Sequence, residues 1–369
     1  MRRRAAIAVA GLLLVACAGS GGAPAPSATA TATPTAAPSP TAAASPAAQL
    51  GPGGLTLAEE VGAVIMVGFK GPLSDSVLAD WKQRQFGGLL IVNLNHNGST
   101  AADLQSLIGT LRGADRHRLL VATDQEGGGV CIAVSSVPCD PMPVGQSATT
   151  RMASAIHGIG FDLDLGPVSD VCDDSSSIMW GRCYGTDPAA VAAAVGPVVD
   201  GIHAAHMLAA AKHFPGHGDT SVSSETQLPR IDESLATLGA REFVPFQAAA
   251  AHGVDFVLLG HLYYPAINAT HSADLAPETI GLLRNEVGFK GAVISDDMEM
   301  GAITNSTPVT LAAVQFLQNG GDMVMVAHDL AVADATYDAV LAAVENGTLP
   351  RSRLDEAVAA LQALPKTQG

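Results

Sequence analysis

Short runs of almost uninterrupted apolar residues recur beyond residue 60, at 64–69, 88–94, 119–124, 161–168, 207–213, 256–261, 292–296 and 322–327. A strand covered on both faces reads this way, because neither side of it meets water. The segments between the runs are rich in Ala and repeat their apolar positions with helical period. Strands alternating with helices predict a parallel sheet, and eight such units in one chain predict a closed (β/α)8 TIM-type barrel in a single domain. An open doubly wound sheet is the competing arrangement. No Gly-x-Gly-x-x-Gly follows the first run to support the dinucleotide site of that fold.

Polar residues collect where the runs end: Asp124-Gln125-Glu126, Asp170, Lys212-His213, His261, Asp296-Asp297 and His328-Asp329. In a barrel these ends converge on one face, the face that carries active sites. One or two of them would pass as helix caps, but so many ending alike point to chemistry.

The first residues follow a different pattern. Met1-Arg2-Arg3-Arg4 precedes an apolar stretch, 5–16, too short to span a bilayer, and then Cys17. A basic start followed by a short apolar run is an export signal, and Leu14-Val15-Ala16-Cys17 resembles a bacterial lipobox. Residues 1–17 are therefore expected to be a lipoprotein signal peptide with Cys17 as the lipidated residue. An ordinary secretory signal cleaved at 18–22 is the alternative. Residues 18–54 are dominated by Ala, Pro, Thr, Ser and Gly and have almost nothing large to bury, so a disordered linker is expected there. Thr56 and Glu59 have the spacing of a capping box, which starts the barrel domain, 55–369.

Composition narrows the partners. The chain has 369 residues, 48% of them hydrophobic, and a net charge of −16. Such a charge repels phosphate backbones and argues against nucleic acid. Contact with a membrane is expected only through the lipid anchor, and the barrel is expected to be monomeric. Apart from Cys17, four cysteines remain: Cys131, Cys139, Cys172 and Cys183. An even number in an oxidising compartment suggests two disulfides. Pairing Cys131 with Cys139 and Cys172 with Cys183 closes short loops, though three connectivities are open. No pair has the CxxC spacing of a zinc site, and neither metal nor organic cofactor is expected.

The most specific segment is Lys212-His213-Phe214-Pro215-Gly216-His217-Gly218-Asp219-Thr220, a loop in which Pro and Gly would interrupt any helix. It resembles the signature of the β-N-acetylhexosaminidases of glycoside hydrolase family 3. Asp124-Gln125-Glu126-Gly127-Gly128, the stretch from Gly181-Arg182 to Gly185, and Ile294-Ser295-Asp296-Asp297-Met298 agree with it in order and spacing. The similarity runs from about Leu57 to Leu364, and the family's second, sandwich domain is not expected. The resemblance implies a retaining exo-β-N-acetylhexosaminidase acting on carbohydrate of cell-wall type. Asp296 would be its nucleophile, forming a covalent glycosyl intermediate. Asp124, Arg182, Lys212 and His213 would be substrate-binding residues. Lys212 and Arg182 also have a structural reading, as partners of neighbouring carboxylates.

Two departures from the family pattern stand out. The resembling enzymes continue the loop with Asp-Ser-His, whose Asp and His transfer the proton, and this chain has Ser223-Ser224-Glu225. Glu225 is the candidate acid/base in their place, with His217 and Asp219 as weaker candidates. A substrate-contacting arginine is replaced by Ile132. Alternative readings are a glycan-binding lipoprotein with a degenerate active site, and a family 3 glycosidase of altered specificity.

Overall fold

A computed structural model describes residues 50–367. The expected leader, with Cys17, and the tether as far as residue 49 lie outside the described residues. Of the remaining linker residues, Pro52–Gly54 form a 3-10 turn, and Gln362 Nε2 of the last helix donates to the Pro52 carbonyl, 3.2 Å. The Thr56–Glu59 capping box is formed and starts the helix Leu57–Ala63.

The strands are β1 Ile65–Val67, β2 Gly88–Leu90, β3 Leu120–Thr123, β4 Leu163–Asp164, β5 Leu208–Phe214, β6 Phe256–Leu259, β7 Ala292–Asp297 and β8 Met323–Val326. They pair in parallel in chain order, and β8 returns to β1 through Ile65 opposite Val324, so the sheet is the expected closed barrel. Several strands are shorter than the apolar runs. The expected 161–168 shrinks to two residues because Pro167 has no N–H to continue the ladder. The expected 88–94 ends at Leu90, since residues 93–95 turn into a 3-10 helix whose Asn95 Nδ2 donates to the Ala327 carbonyl, 2.7 Å.

Helices cover the outside. The helix Pro188–Ala204 begins with Pro at its first position, where a missing N–H costs nothing, and Asp187 caps it through the Ala189 N–H. At the floor of the barrel one device recurs on alternate strands. Asp162, Asp255 and Asp322, each one residue ahead of β4, β6 or β8, accept the backbone N–H of Val121, Ala209 and Val293 at 2.9, 3.0 and 2.9 Å. A basic side chain completes each: Arg112, His203 or Arg353. These carboxylates set the register of neighbouring strands and satisfy amides that water does not reach.

Candidate active site

The C-terminal strand ends surround a cleft of about 440 Å³, within the range of roughly 300–1,000 Å³ of small-molecule sites. Asp124, Arg182, Lys212, His213, Glu225 and Asp296 all line it. Six residues spread over 172 positions of sequence are thus brought to one cavity by four strand ends and their loops.

On one wall the charges are already paired. Lys212 Nζ contacts Asp124 Oδ1 and lies 2.6 Å from Glu126 Oε1. Arg182 grips Glu126 in a two-pronged contact, Nε to Oε2 at 2.8 Å and Nη2 to Oε1 at 2.7 Å. Glu126, passed over as a site residue in the sequence, is the hub of this network. Burial opposes its ionisation, but the Lys212 charge and the Arg182 hydrogen bonds bring its carboxyl down to about 2. Lys212 and Arg182 therefore border the cleft and also fill the structural role of neutralising carboxylates. Beneath them Asp164, fully buried, is pushed up to about 8, first by burial and then by the nearby Asp124 and Glu126 charges, against the Gln125 N–H that it accepts.

The loop after β5 is held by Asp170. This buried carboxylate accepts from His213 N at 3.1 Å, His213 Nδ1 at 2.7 Å and His217 N at 2.7 Å. Burial resists its charge, and His213 and His217 overcome that resistance and hold it below the usual carboxylate range. With Nδ1 bonded to Asp170, Nε2 is the ring nitrogen that His213, a cleft-lining residue, has left for a ligand. His217 pairs through Nε2 with Ser224 Oγ, 3.0 Å, and its Nδ1 has no partner among the described residues. Burial, then the His213 charge, lowers it to about 4. The glycines of this loop are steric necessities. A Cβ at Gly218 would stand 1.9 Å from the Val171 carbonyl oxygen, and one at Gly216, which has φ +135°, would stand 2.4 Å from Glu242 Oε2.

Asp296 comes from β7, and its Oδ1 accepts the Asp297 N–H, 2.9 Å. Burial disfavours its charge, but the fields of His213 and His261, the Asp297 N–H and Lys212 outweigh this and keep the carboxyl below its ordinary value. The neighbouring Asp297 turns to the backbone, its Oδ1 accepting from Ala327 N and Glu299 N, both 3.0 Å. Burial first, and then Glu299 and Asp296, raise it to about 7. Behind this pair lies a buried dyad that sequence reading did not assemble: His261 Nε2 is 2.9 Å from the Asp297 carbonyl, and Nδ1 is 3.0 Å from Asp274 Oδ2. Glu225 stands at the open mouth. The surrounding wall and then the Asp296 charge push its carboxyl above the usual range.

Two disulfides close loops at the rim: Cys131–Cys139 and Cys172–Cys183. The first loop is bracketed by Asn93, which bonds the Cys131 carbonyl and Ala133 N, and by Gln125, which bonds Ile132 N and the Pro138 carbonyl. It sets Ile132 in the cleft wall. The second loop carries Met179 and Arg182 and is joined to the β5 loop by Ile178 N to the Thr220 carbonyl, 2.8 Å. No cluster of three or more His, Cys, Asp or Glu arranged to hold a metal occurs among the described residues.

Comparison with known proteins bears on this geometry. Residues 56–364 match the glycosyl hydrolase family 3 N terminal domain. A β-hexosaminidase of Xylella fastidiosa is 32% identical over 296 residues, which are 74% of this chain and 85% of that one. A family 3 β-N-acetylglucosaminidase from Paenibacillus superposes with a TM-score of 0.80 at 32% identity, over 84% of this chain and 62% of that longer protein. A β-N-acetylhexosaminidase from Beutenbergia cavernae, 24% identical, shares the fold with a TM-score of 0.76 over 84% of this chain and 98% of its own.

Proposed function

Because the chain belongs to glycosyl hydrolase family 3, a family of enzymes that cleave O-glycosyl bonds, we propose that it is a retaining exo-β-N-acetylhexosaminidase. The observation that carries this reading is Asp296, a carboxylate kept ionised in the cleft by surrounding positive charge. In the first step Asp296 attacks the anomeric carbon, the bond to the leaving oxygen breaks, and Glu225 gives that oxygen its proton. In the second, Glu225 takes a proton from water, which displaces Asp296 and releases the sugar with its configuration retained. A raised pKa suits Glu225 to the donor role, as in other glycosidases with a carboxylic acid donor. Asp124, Lys212, Arg182 and His213 would bind the sugar hydroxyls. Lys212 and Arg182 have N–H donors beyond those given to Asp124 and Glu126, so they would serve both tasks without leaving these carboxylates.

We further propose that the enzyme works outside the cytoplasm, tethered through Cys17. The two disulfides support an oxidising compartment.

The test is release of nitrophenol from p-nitrophenyl N-acetyl-β-glucosaminide, with Asp296→Asn beside the parent protein. Activity that falls by roughly 10⁴-fold or more in the variant, at unchanged melting temperature, is the expected outcome. Ser223-Ser224-Glu225 favours a second reading, a glycan-binding protein without turnover. That reading is selected if the folded parent binds the sugar and releases no product.

A further inference from the structure

Single apolar side chains on a surface are ordinary, but a group of them beside a cleft marks a place where a ligand is bound. Here several gather at the cleft mouth. Leu94 is 73% exposed, Ile178 41% and Trp180 53%. Leu94 and Ile178 line the same cavity as Asp296, together with Val130, Ile132 and Met300. Trp180 lies on the Ile178 loop, between the lining residues Met179 and Arg182.

These side chains are not displayed on slack segments. The Leu94 turn is fastened by Asn95 to the Ala327 carbonyl and by Asn93 to the Cys131 carbonyl. The Ile178 and Trp180 loop is closed by Cys172–Cys183, tied to Thr220, and turned by Trp180 N to the Ser177 carbonyl, 3.0 Å. Rigid supports of this kind lower the entropy lost when a ligand is covered.

The charges of the cavity narrow the ligand further. Its carboxyl groups are Asp124, Glu225, Asp296 and Asp297, and its lysine and arginine, Lys212 and Arg182, are both engaged with Glu126. No lysine or arginine among the lining residues is left to receive an anion.

We propose that the leaving-group side of the cleft is an apolar subsite, taking a sugar β-linked to an uncharged aryl or alkyl aglycone in preference to one carrying carboxylates. This rests on the reading of the cleft as a glycosidase site and adds the chemistry of the group that departs. A carboxylate-bearing sugar such as N-acetylmuramic acid would meet the carboxylates of the mouth with no unpaired lysine or arginine to hold it.

The test compares the octyl and methyl N-acetyl-β-glucosaminides and the disaccharide N-acetylglucosaminyl-β-1,4-N-acetylmuramic acid on the full chain. The octyl compound is expected to exceed the methyl one by about tenfold or more in kcat/KM, as burial of several methylenes predicts. The acidic disaccharide is expected to be the poorest. Leu94→Ser and Trp180→Ser, both at exposed positions, should shrink the octyl-to-methyl ratio. Equal rates for octyl and methyl, a ratio unmoved by both variants, or preference for the acidic disaccharide would overturn the proposal. If none of the three is hydrolysed, the glycosidase reading fails, and equilibrium binding by calorimetry still decides the subsite: tighter octyl binding upholds it, and equal or no binding overturns it.

Discussion

The buried His261–Asp274 dyad makes a quantitative prediction about stability and pH. Nε2 faces a backbone carbonyl, which only accepts, so that nitrogen must carry a proton, and Nδ1 faces a carboxylate. Burial alone would lower the imidazole; the Asp274 charge, its hydrogen bond and then Asp296 raise it from 6.5 to about 9. At about 1.4 kcal/mol per pH unit, the charged form contributes on the order of 3 kcal/mol. The folded pKa is the raised one, so this contribution is complete below pH 6.5 and is lost as pH climbs through about 9. Urea unfolding of the parent protein and of His261→Gln between pH 6 and 10 measures it. The variant should be less stable by roughly 3–5 kcal/mol at pH 6, because Asp274 is left buried without its cation. The gap should narrow by about 3 kcal/mol towards pH 10. Asp296 also loses a favourable charge, so the acid limb of the pH–rate profile should move upward in the variant. Stability curves that run parallel across the whole range would refute the assignment of a charged His261.

Three further predictions concern the cleft and the barrel floor. Glu225→Gln should lower kcat by about 10²–10⁴-fold; since the raised carboxyl must be protonated to donate, activity falls as pH rises through its pKa, and this alkaline limb should vanish from the variant's kcat profile. Cys172→Ser with Cys183→Ser should raise KM more than it lowers kcat, through loss of Arg182 placement, and should cost about 2–3 kcal/mol in denaturant unfolding. Asp162→Ala leaves the Val121 N–H without its acceptor and Arg112 with only the Gly160 carbonyl, and a loss of about 1–3 kcal/mol is expected in the same assay with little change in KM.

The barrel was legible because each strand is covered on both faces and must be apolar throughout, so the runs announce themselves. Their ends were less so. Nothing in local composition says that Asn95 will turn β2 aside to reach Ala327, since that partner lies 232 residues away. The site followed the same division. Asp296 and Lys212-His213 stand in compact motifs and were found, whereas Glu126 becomes a hub only when β5 and the Arg182 loop arrive beside it. The His261–Asp274 pair has no motif at all; a lone His ending a strand and an Asp 13 residues later become one unit only through the turn between them. The Asp162, Asp255 and Asp322 set was readable in retrospect, as an Asp just ahead of alternate strands, but its meaning depends on which amide each one meets.

The two cystine-closed rim loops also bear on how such a cleft changes over generations. Each leaves and rejoins the scaffold through a pair of residues whose Cα atoms are 5.9 or 6.1 Å apart. What lies between, 132–138 or 173–182, is a cassette whose two ends stay together whatever its interior becomes. Mutations in either cassette at positions other than those that bond the scaffold, Ile132, Ala133, Pro138, Ile178 and Arg182 among them, alter what the mouth admits while leaving the hydrogen-bonded staves of the barrel untouched. Selection is thereby free to explore new ligands without first having to repair the fold.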